Sequence, residues 1–596
     1  MTRSRAPLRP TPWWTIPAVG VVALAGLLVA CRGGLPGVPA ADDYDYLQAF
    51  RFDRPLDFLG PMGSLWYWRP LGRQAYFSLL APLFFAAPWL VGALHAALFA
   101  TLYSASARAA RRAFDPWGAA AIAAFPLLAE PSRALLVWPT GAQPLLAMAC
   151  IAVALHEAVA RRLPTALVAT AAALLAHEQA LLVVPLVPLV ARAGRRGVLA
   201  TLGVTAAWAA GRVLAVGHGA AIPHTGTLAA ALAAAPGMLR ASLEAQLGLG
   251  ELAGGAHALV TALLATCAAA AATVFLSSRD ARSRLSARAP ILAAGAAWFT
   301  LAIAPLAFAA DLWTPRHTAL PGLGLGVALV GALACASPRF AVAFTAVRLV
   351  ALLLAPTAPP VVEHTLPATT RPFSFLHVTR MQRTVDSARR ALAAAHPTLP
   401  AGSRIGWWSL PPHTQIGFAG PAAVRTWYDD STLTWTFWDR FALEEHVPEA
   451  ILGFEPGVAS PARMMQPAAV AALRQGLATG EAGDLAGADD ALVAALAAQD
   501  PQVEAFTVEV VRLRARLAFQ IGDMERADSL NRVDLGLVGA SASYHGLAAL
   551  IAVRRGRPVE AWQNAQRALV LRPGDPEALD ALNELGAGPA ADRPKF

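Results

Sequence analysis

The sequence predicts an all-α polytopic membrane protein of about eleven transmembrane helices, followed by a C-terminal region outside the membrane that ends in helical hairpins. Three observations predict it. Long apolar blocks fill the first 357 residues, arginines gather in the short gaps between alternate blocks, and a glycine–alanine pattern recurs after residue 480. The chain has 596 residues, of which 56% are hydrophobic and 15% charged. Its mean hydropathy of +0.47 is too high for a soluble globular protein. The net charge of +9 is almost wholly arginine, since Lys595 is the one lysine. These arginines sit in loops rather than on one basic face, so membrane topology explains them and a nucleic-acid partner does not. Cys31, Cys150, Cys267 and Cys335 show no CxxC and no paired spacing, which supports neither a disulfide framework nor a zinc site.

A span needs roughly 20 apolar residues. Spans are expected near 13–31, 78–104, 117–130, 142–160, 164–176, 180–191, 198–216, 256–276, 289–310, 319–337 and 340–357. Several are short or carry prolines, as at Pro126, Pro144, Pro185 and Pro188; broken helices are tolerated where protein or a watery cavity covers the backbone. Arg3, Arg5 and Arg9, then Arg108, Arg111 and Arg112, then Arg161 and Arg162, then Arg192, Arg195 and Arg196, then Arg279, Arg282, Arg284 and Arg288 all fall on one side when eleven spans start from a cytoplasmic N-terminus. The opposite face then carries the Asp42 loop (32–75), the Trp138 turn, the His177-Glu178 turn and the loops 217–255 and 311–318. An odd number of spans puts the C-terminal region outside the cytoplasm as well. Leu28-Val29-Ala30-Cys31 also resembles a lipoprotein cleavage box; a cleaved signal would leave ten spans and the Asp42 loop still outside.

Three regions follow: a membrane domain over 1–357, a mixed α/β linker domain over 358–465 and helical repeats over 466–590. The middle region holds a β-like run at 403–410 and a cluster of tryptophans, Trp407, Trp408, Trp427, Trp435 and Trp438. They form either a small core or membrane-facing belt, or a stacking surface for a sugar or an acceptor. In the last region Gly483, Gly522 and Gly556 each precede an alanine by five residues (Ala488, Ala527, Ala561), with glycine spacings of 39 and 34. The third unit closes on Arg572-Pro573-Gly574-Asp575-Pro576, a helix-stop signal. The pattern resembles tetratricopeptide repeats, whose period is about 34. Such repeats imply a peptide or protein partner, or else a structural cap.

Two polar clusters stand out against the apolar background. Ala41-Asp42-Asp43-Tyr44-Asp45-Tyr46 follows the first apolar run, and Trp66-Tyr67-Trp68-Arg69-Pro70-Leu71 opens the second. Carboxylates there suit a proton or a metal, and the arginine suits an anionic lipid head. The plainer alternatives are a solvated loop or helix N-cap for Asp42 and Asp43, and an interfacial anchor for Arg69. His95 reads as a packed histidine, and Arg348 in the last span has no evident role.

With these, Glu130-Pro131-Ser132 through Trp138-Pro139-Thr140-Gly141, His177-Glu178-Gln179-Ala180 and Thr314-Pro315-Arg316-His317 complete an ordered set. In order and sidedness this set resembles the GT-C membrane glycosyltransferases, in particular bacterial protein O-mannosyltransferases that carry tetratricopeptide repeats. Histidine at 177 and glutamate at 130 depart from that family's lysine and histidine, and the late loop lacks its common tyrosine. The resemblance implies an inverting enzyme of a bacterial inner membrane that moves a sugar from a polyprenyl-phosphate donor to an acceptor outside. It implies Asp42 or Asp43 as general base, Arg69, Arg316 and His317 at the donor phosphate, and His177, Glu178, Trp68 and Trp138 around the sugar or acceptor. No cofactor is required, although two adjacent aspartates have the chemistry to hold a divalent ion. A transporter or flippase of a lipid-linked sugar is the alternative that would show inverted repeats. A non-catalytic assembly protein is the alternative that would need only the repeats.

Overall fold

A computed structural model describes residues 14–52, 67–216, 227–357, 373–411, 414–437, 447–454, 462–499 and 503–586. Arg3, Arg5, Arg9, Trp66 and Trp438 lie outside the described residues. The chain forms two compact units, one from residues 1–385 with 413–429 and one from 386–412 with 430–596.

The expectation of eleven spans is corrected. Among the described residues five helices are long and apolar enough to cross a membrane: Pro88–Ala110, Pro139–Val159, Gly194–Val216, Gly254–Ser277 and Arg279–Phe308. The other expected spans are too short. Thr15–Ala30 and Pro321–Ala336 have 16 residues each and Leu163–Ala176 has 14, or about 21–24 Å at roughly 1.5 Å per residue. Proline explains two further failures. Pro126 turns the region after Pro116–Ala124 into a single 3-10 turn, and the segment 178–191 is a 3-10 helix that passes through Pro185 into the six-residue helix Leu186–Ala191. The expected outer loop 217–255 holds a 20-residue helix, Leu228–Leu247. The parity argument that placed the C-terminal region loses its basis with the span count.

Two of the five long helices bury little of their apolar surface, 6% for the window in Gly194–Val216 and 17% for that in Gly254–Ser277. Leu199, Leu202, Leu214, Leu259 and Leu276 on them are exposed. Elsewhere small residues bring backbones together. A Cβ on Gly295 would stand 2.6 Å from the Gly324 carbonyl oxygen, so only glycine permits Arg279–Ile303 and Pro321–Ala336 to pack this closely.

The second unit holds a four-stranded sheet. Strands β1 (Arg404–Trp408), β2 (Thr434–Phe437), β3 (Ala450–Phe454) and β4 (Ala462–Met465) lie in the order β2-β1-β3-β4. β1 is parallel to β2 and β3, and β4 is antiparallel to β3. Successive side chains on β1 point to opposite faces, so Trp407 meets Trp435 at 5.6 Å while Trp408 meets Phe506 at 5.2 Å. Both indoles are fully buried, so these tryptophans build a core rather than a sugar platform.

The repeats are three helical hairpins, Pro467–Glu481 with Leu485–Ala498, Glu504–Ile521 with Met524–Val538, and Ala542–Arg554 with Pro558–Leu571, closed by Pro576–Glu584. Each spaced glycine sits at a turn with positive φ, 90° at Gly483, 88° at Gly522 and 68° at Gly556, which favours glycine at a helix end. Five residues on, Ala488, Ala527 and Ala561 are wholly buried where paired helices touch. The pattern is therefore a turn-and-contact pattern, and the array is TPR-like. We expect Ala527→Leu to overpack this contact and cost about 1–3 kcal/mol, lowering the thermal midpoint of the purified chain. Val533→Leu on the exposed face should leave the midpoint unchanged. Equal effects from both would dispose of the contact assignment.

Candidate functional site

The first unit gathers most of the candidate residues in one place. The helix Asp42–Phe52 starts with the acidic pair in its first turn, after Ala41 in a left-handed conformation with φ of 56°. The pair then divides. Asp43 is fully buried, and its carboxyl accepts hydrogen bonds from the Ala40 amide at 2.8 Å and from the Thr140 hydroxyl. Asp42 is about a third exposed and stands 3.7 Å from an Nη of Arg316. Burial pushes the Asp43 carboxyl up to about 8, against the pull of its hydrogen bonds from Thr140 and Ala40 and with a push from Asp42. Burial and the nearness of Asp42 also raise Asp45, to about 6. Asp43 is thus a neutral, hydrogen-bonded anchor at neutral pH, and Asp42 is the carboxylate that faces outward.

Arg316 reaches Asp42 from the 3-10 turn Pro315–Thr318. Its guanidinium lies 4.9 Å from the Trp138 ring centre and 4.7 Å from that of Phe373, and these two rings stack at 5.2 Å. Trp138 is wholly buried and its Nε1 donates to the Ala40 carbonyl at 3.0 Å. The indole therefore forms a wall for Arg316 and has no exposed face on which a sugar could stack. Trp68 is also buried; a Cβ on Gly211 would meet its ring at 2.6 Å, so it packs on the helix Gly194–Val216.

Arg69 makes a forked pair with Glu178, its Nε donating to Oε2 at 2.7 Å and an Nη bonding the other oxygen, while its second Nη donates to Gln143 at 2.7 Å. Burial works to neutralise both members of this pair. Their mutual attraction prevails, holding the Glu178 carboxyl well below the usual carboxylate range and raising Arg69. The plain anchor reading of Arg69 is thereby excluded, since its head is tied into protein.

The histidines sit beside these charges, His177 Nδ1 standing 3.9 Å from Glu178 Oε2. Burial, then repulsion from nearby guanidiniums, holds His177 and His317 down to about 3, His177 feeling first Arg69 and His317 first Arg316. Both are neutral, and backbone amides fix their tautomers: His177 Nδ1 accepts from Gln179 at 3.3 Å and His317 Nδ1 accepts from Thr314 at 3.1 Å. Each ring is left with an Nε2–H donor. The cluster thus offers the Arg316 guanidinium, two neutral N–H donors and the Asp42 carboxylate, beside an Arg69–Glu178 pair whose members are tied to each other, the inventory of an anion-binding and proton-accepting site. As a metal site the acidic pair fits poorly, because both Asp43 oxygens accept protein hydrogen bonds and Asp42 faces a cation. Thr140 lies within the Trp138-Pro139-Thr140-Gly141 motif but has no role there from sequence, and no charge or motif marks Gln143 or Phe373. His95 is a packed histidine as expected, between the Tyr76 hydroxyl and the Leu135 carbonyl at 2.7 Å each. Arg348 is buried, donating to the Phe125 carbonyl at 2.8 Å and to the Gln246 carbonyl.

No family model matches this chain, and no curated protein matches it. Among solved structures it is similar to the crystal structure of the APC/C hetero-tetramer Cut9-Hcn1, at 12% identity over 88% of this chain and 98% of that one, with a TM-score of 0.18. A likeness that faint says nothing about this fold or its activity. The resemblance to GT-C membrane glycosyltransferases is accordingly corrected: no family model and no curated protein carries it.

The raised Asp43 carboxyl has a signed consequence. An acid whose folded pKa lies above its unfolded value binds more protons folded than unfolded, so stability falls as pH rises from about 4 toward about 8 and the loss is complete above that. We expect infrared spectra of the purified chain to show a protonated carboxyl band at pH 7 that bleaches above pH 8 and is missing in Asp43→Asn. The same variant should lose this part of the pH dependence of unfolding. A band that survives the substitution would refute the assignment.

Proposed function

We propose that the first unit is a membrane-embedded site that binds a phosphate-bearing lipid donor and transfers the group it carries to a hydroxyl. In its specific form this is inverting transfer of a sugar from a polyprenyl phosphate. The observation that carries the reading is the approach of Asp42 to Arg316, beside the Arg69–Glu178 pair and two neutral histidines. The support is geometric alone; the comparisons lend none to sugar transfer.

The chemistry requires three roles. Arg316 binds the donor phosphate through its planar fork, which fits two phosphate oxygens at once. The His177 and His317 N–H groups add donors without adding charge. Asp42 accepts the proton of the incoming hydroxyl as that oxygen attacks the carbon bearing the phosphate, and the bond from that carbon to the phosphate oxygen breaks. Phosphate arriving at Arg316 competes with Asp42 for the guanidinium and so releases the carboxylate for use as a base. Asp43 touches no substrate; it positions Asp42 through Thr140 and Ala40. Glu178 holds Arg69 in place.

A second reading has its own observation. Val493, Ile521, Val559, Val570 and Leu571 on the hairpins are exposed apolar side chains of the kind a protein or peptide partner covers. In that reading the chain is a membrane-bound assembly protein and the polar cluster is structural.

One experiment separates the two. Membranes holding the full chain are supplied with radiolabelled polyprenyl-phosphate sugars and scored for label leaving the lipid. On the first reading Asp42→Asn keeps the shape and lowers transfer by about 10²–10⁴, while Val570→Asp with Leu571→Asp leaves it intact. No transfer by the unaltered chain, together with partner capture lost in the Val570 and Leu571 double variant, would establish the second reading instead.

A further inference from the structure

A polar pocket of about 450 Å³ lies away from the cluster above, against the C-terminal ends of the helices Pro88–Ala110 and Ala142–Val159. Its polar lining is Thr101, Ser104 and Arg108 from the first helix, His156 and Glu157 from the second, and Arg162 from the turn that follows. Both helices start near the Asp42 cluster, since a Cβ on Gly37 would collide with the Pro88 carbonyl oxygen and Thr140 and Gln143 stand at the beginning of the second. From Thr140 to Glu157 the chain rises about 25 Å at roughly 1.5 Å per residue, close to the thickness of a hydrocarbon layer. The pocket and the cluster therefore sit at opposite ends of two helices long and apolar enough to cross a membrane.

The turn is built with care for a surface feature. Arg161 takes a left-handed conformation with φ of 61°, and the Arg162 amide donates back to the Glu157 carbonyl at 2.8 Å. This folds the chain so that Arg162 lies over Glu157, with 3.6 Å between Nη1 and Oε2. Glu157 also accepts from the Thr165 hydroxyl at 2.7 Å and has His156 Nε2 at 3.7 Å. Arg108 faces the same space from the neighbouring helix.

The signs of charge choose the ligand. Two guanidiniums favour a phosphate. A carboxylate and two helix C-termini, each equivalent to about half a negative charge, favour a cation. A simple anion or a simple cation meets opposition from half of the lining. A molecule with a phosphate and an ammonium a few bonds apart meets none. The pocket also opens beside Ala100 and Val153, on the apolar flanks of the helices. On the membrane reading given above, we infer that this pocket binds the headgroup of a zwitterionic aminophospholipid, phosphate between Arg108 and Arg162 and ammonium against Glu157, in the leaflet opposite the Asp42 cluster.

The test is native mass spectrometry of the full chain in detergent, with added phosphatidylethanolamine, phosphatidylglycerol or inorganic phosphate. The expected result is retention of phosphatidylethanolamine about tenfold above phosphatidylglycerol, with no retained inorganic phosphate. Arg108→Gln with Arg162→Gln should remove the retained lipid. Glu157→Gln should keep lipid binding and erase the preference, a loss of selectivity that misfolding would not mimic. Equal retention of both lipids by the unaltered chain, or retention undiminished in the double arginine variant, would overturn the assignment. Inorganic phosphate held as well as lipid would show a free-anion site and overturn it too. If the chain fails to fractionate with membranes, the membrane reading itself falls; if it fractionates but shows no preference, the headgroup assignment alone falls.

Discussion

The carboxyl of Asp43 is the constraint on which the candidate site depends. It joins two stretches of chain about a hundred residues apart, accepting from the Ala40 amide on one and the Thr140 hydroxyl on the other. Neighbouring bonds run in the same sense: Trp138 Nε1 donates to the Ala40 carbonyl at 3.0 Å, and the Gly37 amide donates to the Val137 carbonyl at 2.9 Å. Gln382 adds bonds to the Val38 and Val137 carbonyls at 2.7 and 3.0 Å. Segment 37–43 is thereby stitched to segment 137–140, and Asp42, one residue before the anchor, is delivered to Arg316. A charged Asp43 could not sit there without a cation, which is why burial holds its proton. Neutrality of the anchor and exposure of its neighbour are two sides of one arrangement.

Much of this was legible in the sequence, for reasons that differ by residue. Polar side chains in an apolar chain are costly, so Asp42, Asp43, Arg69, His177, Glu178, Arg316 and His317 stood out, and the fold brings them into one neighbourhood. The Gly483, Gly522 and Gly556 spacing was legible because a positive-φ turn and an alanine-sized contact both have strict residue demands. What failed was chemistry carried by abundant or amphipathic residues. Trp68 and Trp138 looked like sugar platforms, but an indole serves a core equally well, and only packing decides. The division of labour between Asp42 and Asp43 was invisible because adjacent carboxylates differ only in which way the first helical turn points them. Span count failed where proline and chain length conflict with hydropathy, as at Pro126 and Pro185.

The remaining arginines show what a structural guanidinium looks like in this chain. Arg133 donates to the Ala30 carbonyl at 2.9 Å and the Pro356 carbonyl at 2.6 Å, pairs with Glu251, and lies 3.9 Å from the Phe375 ring centre. Arg348 donates to two carbonyls and lies 3.7 Å from the Phe125 ring centre. Arg69 is held by a carboxylate and an amide. In each case directed hydrogen bonds offset the loss of water, as burial of a charge demands.

Arg316 is held differently. Two ring faces support its guanidinium, and its approach to Asp42 at 3.7 Å is longer than a hydrogen bond. Ring faces orient a guanidinium while leaving its in-plane N–H groups directed outward, whereas carbonyl partners consume them. The charges of Asp42, Arg316, Arg69 and Glu178 sum to zero. An incoming phosphate gains most at the cation whose donors are least committed, and that cation is the one beside the outward carboxylate. Of these four arginines, Arg316 is the one held least by hydrogen bonds, and that makes it the strongest candidate for a ligand.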